Sequence, residues 1–146
     1  MNLIHRFIEF AAAFEKTFVD DDWSHLEGFF TEEAVYEVTG GLPLGGRWEG
    51  RAAVLVHLRE SLEELDRCFE TRQTEIVGAP TVEGETVRFE WRGTYRTQGM
   101  PELVFGGVET AEFDGERIRM LVDNMNEGDD AKIQAYLRDH FDVDLG

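Results

Sequence analysis

At 146 residues the chain has the size of one domain, and such a domain buries roughly 70% of its unfolded surface, so no disulfide or metal staple is needed. Thirty-one acids against 14 Lys and Arg leave a formal charge of −17, which repels phosphate backbones and anionic bilayers and argues against nucleic-acid or membrane partners. A single cysteine, Cys68, excludes an intrachain disulfide, and no window nears the ~18 apolar residues of a membrane span, so a cytoplasmic protein is expected.

Ile4, Phe7, Ala11, Phe14 and Phe18 recur at steps of three and four, the pattern of a helix with one buried stripe. Glu9 interrupts the apolar run and sets this segment apart from a signal peptide. Asp20, Asp21 and Asp22 end the helix and offer a cap for a short second one carrying Trp23, Leu26, Phe29 and Phe30. Ala34–Val38 reads as a strand. The next stretch, Thr39–Gly50, holds five Gly and a Pro and is too irregular for either regular structure. From Arg51 to about Glu70 a long helix places Val54, Leu58, Leu62, Leu65 and Phe69 on one face.

The rest is strand-like. Gln73–Val77 forms one strand, ended by Gly78-Ala79-Pro80, and a turn near Gly84 feeds a long strand from Val87 to Thr97. There Val87, Phe89, Trp91, Gly93 and Tyr95 face one way, and Arg88, Glu90, Arg92, Thr94 and Arg96 the other. Gly99-Met100-Pro101 turns the chain into a strand over Glu102–Phe113, and Asp114-Gly115 turns it again into Arg117–Met125. Asp129 is placed to cap a closing helix with Ile133, Tyr136, Leu137 and Phe141. No linker or repeat divides residues 1–146, so a single α+β domain is expected.

Three phrases stand in a telling order: Phe29-Phe30-Thr-Glu-Glu-Ala-Val-Tyr36, Trp48-Glu-Gly-Arg51-Ala-Ala-Val54 and Phe113-Asp-Gly-Glu-Arg-Ile118. With the order of elements, from about Phe7 to Met125, they resemble the SnoaL-like branch of the nuclear transport factor 2-like superfamily. The resemblance implies a cone-shaped α+β barrel, its curved, mainly antiparallel sheet wrapping a pocket that helices close. It implies no single reaction, because the superfamily spans isomerases, epoxide hydrolases, cyclases, dehydratases and non-catalytic proteins.

Candidate site residues follow from register. Glu109 shares one strand side with Leu103, Phe105, Gly107, Ala111 and Phe113, so an acid sits in an apolar row where lost hydration raises its pKa. Asp123 shares a side with Leu121 and Met125, but the opposite register is equally apolar, and a single bulge decides which way it faces. Tyr36, beside Val38, offers a hydroxyl to a ligand. Trp91 and Tyr95 are wall residues with Gly93 leaving room between them, and His57 borders the apolar stripe of the long helix. No spacing suits a metal site, and no phosphate or dinucleotide loop occurs, so no cofactor is expected.

The resemblance also allows the catalytic sets of similar enzymes to be carried over. Where similar ketosteroid isomerases use a phenol, a base and an acid, this chain has Phe14, Val38 and Glu109. Where similar epoxide hydrolases use an Arg, an Asp and an Asn, it has Trp91, Gly93 and Val38, although Tyr36 and Asp123 remain. Neither set is complete. Two hypotheses stand: a cofactor-independent isomerase, cyclase or lyase using Glu109, Asp123 and Tyr36 on an apolar oxygenated molecule, or a non-catalytic binding or partner module. Val104, Val108, Met120 and Val122 face away from the pocket side and suggest a homodimer through the outer sheet face. The acid excess fits a halophilic source, and two Lys against twelve Arg fits high genomic GC equally well.

Overall fold

In the computed structural model, which describes residues 2–143, the first apolar stripe becomes helix α1 (Leu3–Asp20). Asn2 caps it, accepting the His5 backbone N–H at 3.1 Å. It stops where Asp21 enters the left-handed region (φ 57°) and donates its N–H to the Thr17 carbonyl. Phe7 and Phe10 are buried beneath it, whereas Ala11 and Phe14 stay half-open because they border a cavity.

The second helix is a single turn, α2 (Ser24–Glu27), with Asp22 accepting both the N–H and the hydroxyl of Ser24. Phe29 and Phe30 lie outside it. Phe30 instead opens strand β1 (Phe30–Thr39), where it pairs with Ile118 of the last strand. The Gly-rich stretch is also more ordered than its composition suggests. Gly46–Glu49 forms β2, which pairs antiparallel with Val35–Val38.

Helix α3 (Arg51–Glu64) ends six residues earlier than the pattern predicts. A 3-10 turn (Asp66–Cys68) follows, and it swings Asp66 inward to meet Arg72 and Tyr95. Leu65 and Phe69 still reach the core, so the apolar spacing outlasts the helix.

Four long antiparallel strands complete the sheet: β3 (Thr71–Glu83), β4 (Thr86–Arg96), β5 (Leu103–Asp114) and β6 (Arg117–Met125). The break expected at Gly78-Ala79-Pro80 is only a bulge within β3. A proline is tolerated there because β3 is an edge strand and needs no inward N–H at that point. The order is β2-β1-β6-β5-β4-β3, antiparallel throughout except for the parallel β1–β6 pair. The closing helix is α4 (Asp129–Phe141), with Gly128 rather than Asp129 at the cap position. Asp129 instead accepts the buried Gly106 N–H at 2.9 Å and so ties α4 to β5.

The fold is thus α+β, with helices on the inner face of a curved six-stranded sheet. One core cluster joins α1, α2 and α3 to the sheet around Phe30 and Phe113, and a second joins α4 around Tyr95 and Phe105. No helix among the described residues is long and apolar enough to cross a membrane. Phe30 is fully buried and meets Phe10 edge-on at 5.4 Å. Phe30→Ala is therefore expected to cost about 3–5 kcal/mol in urea unfolding, with the native dichroism spectrum retained.

Candidate functional site

Between the two core clusters lies a cavity of about 450 Å³, walled by α1, α3 and the inner sheet face. Phe14, Tyr36, Val38, His57, Trp91, Tyr95, Glu109 and Asp123 all line it. Ile8 of α1 and Ile76 of β3 line it too while remaining 48% and 40% exposed, which places its mouth between that helix and the sheet edge.

Register brings the two acids together. Glu109 and Asp123 stand directly opposite each other on β5 and β6. A bulge does occur in β6, but at its start: Glu112 pairs with Met120 and Phe113 with Ile118, leaving Arg119 over. That extra residue turns both Ile118 and Leu121 inward, and Asp123, beyond it, keeps the side of Leu121.

Trp91 secures the arrangement. Its indole N–H donates to Asp123 Oδ1 at 2.9 Å, crossing strand β5 where Gly107 stands opposite Trp91. A Cβ on Gly107 would lie 2.4 Å from the Asn124 carbonyl oxygen and 3.1 Å from Asp123 Oδ1. A side chain here would press on the Asn124 backbone and crowd the carboxyl that the indole meets.

The two carboxyls are not equivalent. Burial, and then the charge of Asp123, pushes Glu109 well above the usual carboxylate range. Burial also raises Asp123, but the Trp91 N–H opposes it and holds the rise to about 6. The Trp91 N–H thus favours charge on Asp123, and the proton of the pair is favoured on Glu109. Tyr36, raised by burial and by the nearby acids, stays a neutral phenol able to donate. Burial pulls His57 down to about 4, so its imidazole is uncharged. It stacks on Trp48 with ring centres 3.2 Å apart and lies 3.3 Å from the Ser61 hydroxyl.

A second polar cluster has no signature in the sequence. Arg72 pairs through Nε with Asp66 and through Nη1 with Glu15 at 2.7 Å, while Tyr95 donates to Asp66 at 3.4 Å. Burial alone would depress Arg72, but the charges of Asp66 and Glu15 override it and raise it instead. Burial likewise lifts Asp66 against the pull of Arg72. The partners are 6, 29 and 57 residues apart, so no local spacing announces them. Among the described residues, no three His, Cys, Asp or Glu side chains converge as metal ligands.

The state of Glu109 has a consequence for stability. Its folded pKa lies above the unfolded value, so the folded form is favoured below about pH 4.5 and loses stability as pH rises, by up to about 1.4 kcal/mol per pH unit. Glu109→Gln removes the titrating proton. Its melting temperature is expected to match wild type near pH 4 and to exceed it by several degrees at pH 8, as followed by scanning calorimetry.

A family model described as a SnoaL-like domain matches residues 9–121. No curated protein matches the chain. Among solved structures, Bal32a from a soil-derived mobile gene cassette is 19% identical, with a TM-score of 0.65 over 86% of this chain and 93% of that one. TerC, co-crystallised with polyporic acid, is 14% identical, with a TM-score of 0.64 over 88% of this chain and 97% of its own. An M. tuberculosis LEH-like epoxide hydrolase is 19% identical, with a TM-score of 0.62 over 91% and 92%. At these identities the likeness is one of fold, and the resemblance read from the sequence is borne out.

Proposed function

We propose that this chain, which belongs to the SnoaL-like domain family, is a cofactor-independent acid–base enzyme of the isomerase, cyclase or lyase type. Its substrate is a small, largely apolar oxygenated molecule. The observation that carries this is an unequal carboxyl pair: Glu109 and Asp123 face one apolar cavity from directly opposite positions on adjacent strands, and only Asp123 receives the Trp91 N–H. Asp123 takes a proton from carbon beside a carbonyl. The O–H groups of Glu109 and Tyr36 donate to the oxygen as charge moves onto it. Return of the proton from Asp123 to another carbon completes an isomerisation, and transfer from Glu109 to a departing oxygen completes an elimination.

The volume left open by the aromatic lining supports this over a module whose own side chains fill its pocket. Epoxide hydrolysis by the set used in similar enzymes is disfavoured, since Trp91 and Gly93 stand where an Arg and an Asp are required. The test uses hydrogen exchange, which needs no knowledge of the natural substrate. In D₂O the protein should accelerate exchange of the α-hydrogens of 4-phenylcyclohexanone, followed by proton NMR. Glu109→Gln and Asp123→Asn should each slow this by ~10²-fold or more. The rate should climb as pH rises through about 6, where Asp123 ionises, and fall once Glu109 ionises. Exchange indifferent to both substitutions, with ketone affinity retained, would favour the binding module.

We also propose a homodimer through the outer sheet face. Val104, Val108, Met120 and Val122 form a half-buried apolar patch there on β5 and β6. Arg92 and Arg96, on the same outer side, pair with Glu75 and Glu102 of their own chain, so the apolar patch supplies the contact. Sedimentation at micromolar concentration should give the dimer mass, and Val108→Glu the monomer; monomer mass for the unaltered protein rejects the proposal.

A further inference from the structure

The Asp66–Arg72–Tyr95 cluster lines the same cavity yet takes no part in the proton transfers, and we infer that it is a subsite for a neutral hydroxyl at the far end of the substrate. The inference rests on the carboxyl pair being the reacting end.

Strand β4 sets the spacing. Trp91, which holds Asp123, and Tyr95, which holds Asp66, lie on one face of it, four residues apart, or about 13 Å of strand. Between them is Gly93, with the Tyr95 ring laid over it: a Cβ there would sit 2.9 Å from that ring. Tyr95 in turn stacks on Phe105 at 5.0 Å. The wall between the two polar ends is apolar and flat, suited to an elongated molecule with oxygen at each end.

Valence selects the chemistry. Asp66 Oδ2 accepts from both Arg72 and Tyr95, whereas among the described residues no hydrogen bond engages Oδ1. Arg72 has five N–H donors, and its bonds to Asp66 and Glu15 leave some of them over. No buried side-chain nitrogen or oxygen among the described residues lacks a partner, so the spare capacity faces open volume. A hydroxyl both donates and accepts, and it completes both groups. A carboxylate only accepts and would meet two acids around one guanidinium. An ammonium only donates: it satisfies Asp66 but leaves the spare Arg72 N–H groups without an acceptor. The Arg72 and Asp66 side chains are 7% and 9% exposed, so little ordering is left for binding to impose.

Three probes of one shape test this by calorimetric titration at pH 7: 4-phenylcyclohexanone, 4-(4-hydroxyphenyl)cyclohexanone and 4-(4-oxocyclohexyl)benzoate. The hydroxyl compound should bind about tenfold tighter than the parent, and the benzoate more weakly than the parent. Asp66→Asn should abolish most of that gain. Should it fail to fold, Tyr95→Phe, which keeps the ring stack and removes one oxygen, decides by reducing the gain. A hydroxyl compound no tighter than the parent, a benzoate that binds best, or no binding by any probe would overturn the subsite. So would a gain that survives in the folded variants. A tenfold gain alongside hydrogen exchange indifferent to Glu109→Gln would keep the subsite and discard the acid–base reading.

Discussion

Two carboxyl groups placed opposite each other in an apolar cavity cannot both ionise without a counter-charge, and no cation stands beside Glu109 or Asp123 among the described residues. The molecule resolves this with a neutral donor. An indole N–H stabilises charge on Asp123 without cancelling it, and so favours the negative charge there and the proton on Glu109. An Arg in the place of Trp91 would pair the carboxylate and quench its basicity. Around this contact stand Gly107, whose bare Cα leaves room for the Asn124 backbone and the Asp123 carboxyl, the Trp91 ring edge-on to Phe105, and the inward run of β6 beyond its bulge.

What the sequence discloses, and what it withholds, divides along the range of the interactions. Alternation in Val87–Tyr95 and in Leu103–Phe113 is a local signal, and it places Trp91, Tyr95 and Glu109 on the cavity side. Asp123 is ambiguous in sequence because both faces of β6 are apolar; the register shift at Arg119, set by pairing with β5, resolves it. Strand β2 is hidden because glycines argue for a loop, whereas pairing with β1 overrides that preference. The end of α3 is obscured for a related reason. Leu65 and Phe69 continue the helical spacing, yet the chain leaves the helix so that Asp66 can reach Arg72 and Tyr95. His57 reads as a border residue, and only the packed structure shows it flattened against Trp48 and stripped of charge.

The two polar clusters differ in how their charge is balanced. Arg72 is held by two acids and by the faces of Phe14 and Phe18, so it fastens α1 to the sheet edge beside the cavity mouth. Its energetic role is mixed, since burying an ion pair costs solvation that geometry must recover. The carboxyl pair recovers nothing of the kind. Its cost is carried by the aromatic and aliphatic packing around it, where Phe89 and Leu121 stay buried on either side.

The sheet also has two very different borders. β2 is four residues long, while β3 runs for thirteen with Ile76, Val77 and Val82 at about two-fifths exposure. A border of that length and composition is a template onto which another chain's strand could hydrogen-bond. The bulge at Gly78-Ala79-Pro80 cuts it into two short runs offset by two residues in register, with Val77 opposite Glu90 but Thr81 opposite Arg88, and Pro80 contributes no N–H to either. An incoming strand can register with one half or the other but not both. The kink that reads in sequence as the end of a strand thus guards the molecule against polymerising edge to edge.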